Sequence, residues 1–370
     1  MKIFVLEGDL NNVINGLRSH LVDEICKNVS EVIVIGGNLQ DFDFGIVHSS
    51  KRNNIRYINL KFNTFNPILI FVALLKLLYL VFIHKPNQVV SFNIRPAIIW
   101  GFCNRFLKIK STCTVTGTIT FRDEKSIKNK YNLILNHCLK GYNNIIFQNK
   151  YDFNLFEGIG NIDNQNRLII EGSGVDTDFF KRSNFGFKEW DFVFIGRLLK
   201  QKGILEFLNA SRNLLLKFPN LKIAFLGPFY QDSQIDSFIS PSELNVYLVD
   251  KKIKYLGITN DIREILEKSK TLVLPSYGEG MSNILLEGAS MSLPLIASDV
   301  PGCKEIVQDG YNGFLCKPMD SHDLMFKMES LVKLSELNKN QMGVNSRKLV
   351  IERFSKRFIV SQYLKLLNLL

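Results

Sequence analysis

Short runs of β-branched and aromatic residues recur along the chain, each ended by a glycine or polar break and followed by a longer segment of helical periodicity. That alternation marks strands paired in parallel through crossover helices. In the first half the runs predict strands at Lys2–Leu6, Glu31–Ile35, Ile55–Leu60, Gln88–Phe92, Thr112–Thr116, Asn144–Gln148 and Arg167–Ile170. The rhythm restarts at Asp191–Ile195 and predicts further strands at Leu221–Leu226, Val246–Val249, Ile253–Leu256, Thr271–Leu274 and Pro294–Ala297. Two doubly wound α/β domains are therefore expected, with the boundary in the polar, glycine-containing stretch Lys181–Glu189. The expected division is 1–182, then 186–354, with 355–370 a C-terminal helix packing back toward the first domain. Open α/β sheets bind ligands at the carboxyl ends of their strands, so the site is expected in a cleft between the two halves.

One segment departs from the amphipathic pattern. Pro67–Ile83 is apolar all round except for Lys76, and is bracketed by Lys61, His84 and Lys85. It falls short of the roughly 20 apolar residues that a spanning helix needs. It also lies between two expected strands of one sheet, so a buried or interface-lying helix is expected.

Composition narrows the classes. At 370 residues and 46% hydrophobic content the chain has material for two cores. The net charge of +11 suits nucleic acid, anionic lipid or a phosphate-bearing small molecule. The basic residues read as scattered, and no element gathers Lys, Arg and aromatic residues as a nucleic-acid binder would, so no nucleic-acid partner is expected. The six cysteines show no paired spacing and sit in apolar stretches, which fits core thiols in a reducing compartment. Met1–Leu6 runs straight into a strand with Glu7 and Asp9 close behind, unlike a signal peptide, and a cytoplasmic location is expected.

Two stretches carry chemistry. In Leu274–Ala289 (LPSYGEGMSNILLEGA) a strand ends, a loop with two glycines follows, and Ser282 or Asn283 can cap a helix opening at Ile284. Such a loop presents free backbone N–H groups and the positive end of a helix dipole, which favour a diphosphate. Glu279 on the loop and Glu287 in the helix would reach different parts of one extended ligand, Glu279 a sugar and Glu287 ribose hydroxyls. Both could equally be solvated carboxylates. In Phe192–Gly203 (FVFIGRLLKQKG) an apolar strand ends in Gly196-Arg197, and Lys202 follows at a helix start. Arg197 offers a fork of donors suited to phosphate and Lys202 a mobile point charge, although Lys200 and Lys202 could also be solvated helix-face residues.

Taken together, these stretches resemble the large family 4 of retaining glycosyltransferases with the GT-B fold. The resemblance rests on Gly172–Phe179 (GSGVDTDF), on Gly196-Arg197-Leu198 with Lys202-Gly203, on Glu279 and Glu287, and on Ser298–Gly302 (SDVPG) leading to Glu305-Ile306-Val307 and Gly310. It implies an acceptor-binding first domain and a nucleotide-sugar-binding second domain. Arg197 and Lys202 would hold the donor diphosphate next to Gly196, helped by amides of Gly280, Met281, Ser282 and Asn283. Glu279 would contact the sugar, Glu287 the ribose, and the region of Leu256 and Gly257 the nucleobase. No metal and no other cofactor is implied.

The first half is similar to bacterial enzymes that extend a sugar on undecaprenyl diphosphate, through Ser91–Pro96 (SFNIRP), Val115-Thr116-Gly117 and Ile146–Asn149 (IFQN). That likeness implies a UDP-linked N-acetylhexosamine or related hexose as donor and a lipid-linked or oligosaccharide acceptor, used in surface polysaccharide synthesis on the inner face of the cytoplasmic membrane. An anionic membrane surface becomes an expected partner. Acceptor-side candidates are Gly16, Asn93, Arg95, Thr116 and Gly117.

Two departures stand out. The first strand is followed by Glu7–Gly16 (EGDLNNVING) rather than a glycine-rich or Arg-Gly loop, and Thr116-Gly117-Thr118 stands where relatives place a histidine. The histidines His20, His84, His137 and His322 read as helix residues. Two rivals share the architecture, an inactive binding subunit and a UDP-sugar epimerase. A dinucleotide oxidoreductase would need G-x-G-x-x-G after the first strand, which is absent.

Overall fold

The computed structural model describes all residues except 15, 38–45, 49–52, 61, 63–65, 117–136, 157–166, 184, 185, 187, 230–238 and 249–251. The chain forms two compact units, the first made of Met1–Ser173 with Ile359–Leu370 and the second of Gly174–Phe358.

The first unit is built on an eight-stranded sheet, β1 (Lys2–Asp9), β2 (Glu31–Gly37), β3 (Ile46–His48), β4 (Ile55–Asn59), β5 (Gln88–Phe92), β6 (Lys110–Val115), β7 (Asn144–Phe147) and β8 (Arg167–Ile169). The spatial order is β3-β4-β2-β1-β5-β6-β7-β8. All pairs are parallel except the short edge strand β3, which runs antiparallel to β4 and has no counterpart among the sequence-based expectations. Strands β1 and β5 are neighbours although three strands lie between them in sequence, so the winding direction reverses between them.

Two apolar clusters cover the faces of this sheet. One takes Phe4, Leu6, Val89 and Trp100 together with Ala73, Leu77 and Val81 of helix Pro67–His84. The other takes Ile3, Val5 and Val90 together with Ile359, Val360, Tyr363 and Leu364 of helix Lys356–Leu366. Tyr363 shares a 3.0 Å hydrogen bond with Thr114 inside this second cluster.

The second unit holds β9 (Trp190–Ile195), β10 (Ile223–Leu226), β11 (Ile253–Tyr255), β12 (Ser269–Leu274), β13 (Leu295–Ser298) and β14 (Gly313–Cys316) in the order β11-β10-β9-β12-β13-β14. Every pair is parallel. Winding reverses between β9 and β12. One large core joins Phe192, Phe194, Phe207, Phe225, Leu272 and Leu285.

Three expectations need correction. Residues 246–248 of the expected strand Val246–Val249 are helical, in Pro241–Leu248; Val249 lies outside the described residues. The reason is a reciprocal cap: the Ser240 amide donates to the Glu243 carboxylate at 2.9 Å and the Glu243 amide donates to Ser240 Oγ at 3.2 Å. The boundary falls at 173/174 rather than in 181–189, because Val175 bridges to Ser355 and Arg347 donates to the carbonyls of Thr177 and Phe180, all inside the second unit. The chain returns to the first unit at Ile359 rather than at 355, since Ser355 belongs to that same bridge. Strand β14 has no counterpart in the sequence reading either. All six cysteines are buried free thiols.

Candidate functional site

In the second unit five successive loops leave the carboxyl ends of adjacent strands. Leu256-Gly257 follows β11, Gly227 follows β10, Gly196-Arg197 follows β9, Pro275–Ser282 follows β12 and Asp299–Gly302 follows β13. Backbone bonds tie them side by side: Gly227 N to Gly257 O at 3.0 Å, Gly196 N to Leu226 O at 3.1 Å, Leu198 N to Pro228 O at 3.0 Å and Tyr277 N to Gln201 O at 2.9 Å. The loops after β9 and β12 flank the point where winding reverses, the place where open α/β sheets leave a crevice.

Those two loops bring Lys202 and Glu279 together. Lys202 Nζ lies 2.5 Å from Glu279 Oε1, and the side chains are only 17% and 12% exposed. Within this enclosure each charge compensates the other. Arg197 is exposed at the end of β9.

The close approach is possible because Gly203, the residue before helix Ile204–Lys217, has φ +75° and would place a Cβ 1.9 Å from the Pro275 carbonyl oxygen. Tyr277 adds a side-chain tie, donating its hydroxyl to Glu206 at 2.7 Å. Burial and the Glu206 carboxylate both push this phenol up.

The turn after β13 supports the β12 loop from behind. Glu279 N donates to Pro301 O at 3.2 Å and Ser282 N to Gly302 O at 3.0 Å. Gly302 has φ +80°, and a Cβ there would fall 2.5 Å from the Glu279 carbonyl oxygen. Its amide is held by the Glu305 carboxylate at 2.6 Å. The SDVPG stretch thus fixes the backbone on which Glu279 rides.

Ser282 occupies the cap position of helix Asn283–Ser290 in extended conformation, and its side chain makes no capping bond. The first-turn amides have no helical acceptor by geometry. Met281 turns its side chain into the core. Glu287 lies one turn into the helix, half-buried, and burial pushes its carboxyl up to about 7 against the opposing pull of Lys356.

The first unit contains a second constellation, also where winding reverses. Glu7 near the end of β1 is fully buried, and it accepts from Arg18 Nη1 and from Asn93 Nδ2. Asn93, just after β5 with a positive φ of 67°, in turn accepts from Thr116 Oγ1. Arg18 stacks its guanidinium 4.4 Å from the centre of the Phe92 ring. Of the acceptor-side candidates, Asn93 and Thr116 therefore stand together. Arg95 is exposed in the first turn of helix Ile94–Leu107, Gly16 accepts a bond from Ser19 Oγ at 2.9 Å, and Gly117 lies outside the described residues.

Sequence reading missed the role of Glu7 and Arg18. The signal was an acid inside an otherwise apolar strand, since a buried carboxylate demands a cationic or hydrogen-bonding partner. Among the described residues no group of three or more His, Cys, Asp or Glu is placed to hold a metal ion.

The comparisons with known proteins agree with this architecture. An uncharacterized glycosyltransferase of Methanocaldococcus jannaschii is 30% identical over 258 residues, which cover 68% of this chain and 65% of that protein. The UDP-Gal:alpha-D-GlcNAc-diphosphoundecaprenol alpha-1,3-galactosyltransferase of Escherichia coli is 29% identical over 203 residues, 51% of either chain. The chain thus spans less than two thirds of the length of each relative. The structure of the Anabaena protein HepE in complex with UDP superimposes with a TM-score of 0.77 at 16% identity, covering 100% of both chains, which identifies the fold as GT-B. Residues 175–349 match the family described as glycosyl transferases group 1.

Proposed function

We propose that the protein transfers a sugar from a UDP-linked donor to a lipid-linked or oligosaccharide acceptor, with retention of configuration and without a divalent metal, in bacterial surface polysaccharide synthesis. The observation that carries this reading is the Lys202–Glu279 pair at the β9/β12 reversal, beside Arg197 and the start of helix Asn283–Ser290. The E. coli relative bears the name of an enzyme using UDP-Gal and a diphosphoundecaprenol-linked sugar, and HepE was solved with UDP. A polyprenyl-linked acceptor would place the reaction at the inner face of the cytoplasmic membrane.

Arg197 and Lys202 take up the charge that develops on the diphosphate as it leaves, aided by amides of Gly280 to Asn283. When a donor is bound, Lys202 turns from Glu279 toward phosphate and the freed carboxylate accepts from sugar hydroxyls. Glu287 receives the ribose, and Leu256-Gly257 lies beside the nucleobase. The acceptor hydroxyl attacks from the face the diphosphate leaves, and the departing phosphate oxygen takes its proton. Asn93 and Thr116, steadied by Glu7 and Arg18, line the acceptor side.

The test is Arg197→Ala, assayed with a panel of UDP-, GDP- and dTDP-sugars. Turnover with the accepted donor should fall about 10²-fold or more, as for loss of one preorganised donor of hydrogen bonds, with the unfolding temperature unchanged. A folded variant with near-normal turnover rules out the assignment.

A further inference from the structure

Helix Pro67–His84 has two apolar faces. Ala73, Leu77 and Val81 enter the core, whereas Ile68, Phe71, Leu75, Tyr79 and Phe82 repeat every three to four residues along the opposite side and are exposed. Phe82 is 78% exposed. Helix Ile94–Leu107 packs beside it over the same face of the sheet, and its last turns expose Phe102 and Phe106, the latter by 77%. Soluble proteins rarely leave so continuous an apolar surface uncovered unless something docks there.

The charge distribution names the partner. Between Asp43 and Asp123 the sequence has 11 Lys or Arg and no Asp or Glu. That leaves 35 basic residues against 35 acidic ones elsewhere, so this stretch accounts for the whole net charge of +11. The reading of the basic residues as scattered is corrected accordingly. Both helices end on a lysine in left-handed conformation: Lys85 follows Phe82-Ile83-His84, and Lys108 follows Phe106-Leu107. Arg105, Lys108 and Lys110 are exposed beside them. The exposed aromatic rings are therefore bordered by cations with no acid nearby in sequence. An identical copy of the chain would oppose like charge with like, and a nucleic acid would leave the apolar face in water. An anionic bilayer satisfies both features, with rings entering the acyl boundary and cations meeting lipid phosphates.

We propose that the face formed by the outer side of helix Pro67–His84 and the last turns of helix Ile94–Leu107 seats the protein on an anionic membrane surface, lying in the interface without crossing it. No helix among the described residues is long and apolar enough to cross a membrane. This inference deepens the reading of the acceptor as lipid-linked, and names the surface that meets the lipid.

The experiment is flotation with vesicles of mixed phosphatidylcholine and phosphatidylglycerol, compared with phosphatidylcholine alone. The protein should bind the mixed vesicles, bind the neutral ones weakly, and be released by added salt. Phe82→Gln/Phe106→Gln and, separately, Arg105→Glu/Lys110→Glu should each lower partition about tenfold or more, with helical circular dichroism and cooperative thermal unfolding retained. Failure of the wild-type protein to bind overturns the proposal. So does wild-type binding by both folded variants, or a dimer that Phe82→Gln/Phe106→Gln merely splits. Transfer to a water-soluble acceptor without a polyprenyl tail separates the two readings. That activity should survive both pairs of substitutions, and its absence in the wild type would overturn sugar transfer while leaving vesicle binding untouched.

Discussion

The carboxyl of Glu287 links the site to pH at the scale of a single residue. Its pKa is raised from 4.5 to about 7 by burial, so the folded protein holds this proton more tightly than the unfolded chain does. Stability from this group is complete below about 4.5 and is lost as pH rises through about 7, a cost of about 3 kcal/mol. Glu287→Gln should therefore be the more stable protein at about pH 8, with the difference closing toward about pH 4.5. Urea unfolding across that range checks this, and a constant difference would refute it. At Glu7 the buried carboxylate is matched by the Arg18 guanidinium. Glu7→Gln strands the Arg18 guanidinium, 7% exposed, and should cost about 3–5 kcal/mol; adding Arg18→Met should recover much of the loss. The sequence made Lys202 and Glu279 visible as candidates, since each sits at a strand end near a helix start. Their contact was not visible, because it depends on two loops 77 residues apart being joined through Tyr277 and Gln201.

Elements were legible where one local signal dominated. Apolar runs bounded by glycine or polar breaks gave twelve of the fourteen strands among the described residues, since strands covered on both faces read as continuous hydrophobic stretches. The edge strands β3 and β14 are short and carry too little pattern to separate them from loops. The Val246 segment failed for another reason, since β-branched composition was weighed while the Ser240-Pro241-Ser242-Glu243 cap was not. At this scale the tightest constraint is the packing of helix Ile204–Lys217 against the β12 loop through Gly203. Gly203→Ala should lose about 2–4 kcal/mol, from left-handed strain and overpacking on Pro275. UDP-induced thermal stabilisation should weaken with it, and a variant as stable as the wild type would contradict the close approach.

For the whole molecule, the proposed reaction relies on fixed cations and helix amides, so transfer should persist in excess chelator. Abolition by chelator with rescue by magnesium or manganese would overturn that. Another whole-molecule property follows from the way the chain closes the first unit. Ile359–Leu370 completes a core whose other members lie before Ser173, with Tyr363 set between Phe92 and Thr114. During synthesis the first unit to emerge is therefore the second able to finish. Gly174–Phe358 is continuous and can fold as it leaves the ribosome, whereas the earlier segment waits for helix Lys356–Leu366, roughly 10–40 s at about 5–20 residues per second. Through that interval the sheet face carrying Ile3, Val5 and Val90 lacks its final cover, and the nascent chain depends on whatever shields that face.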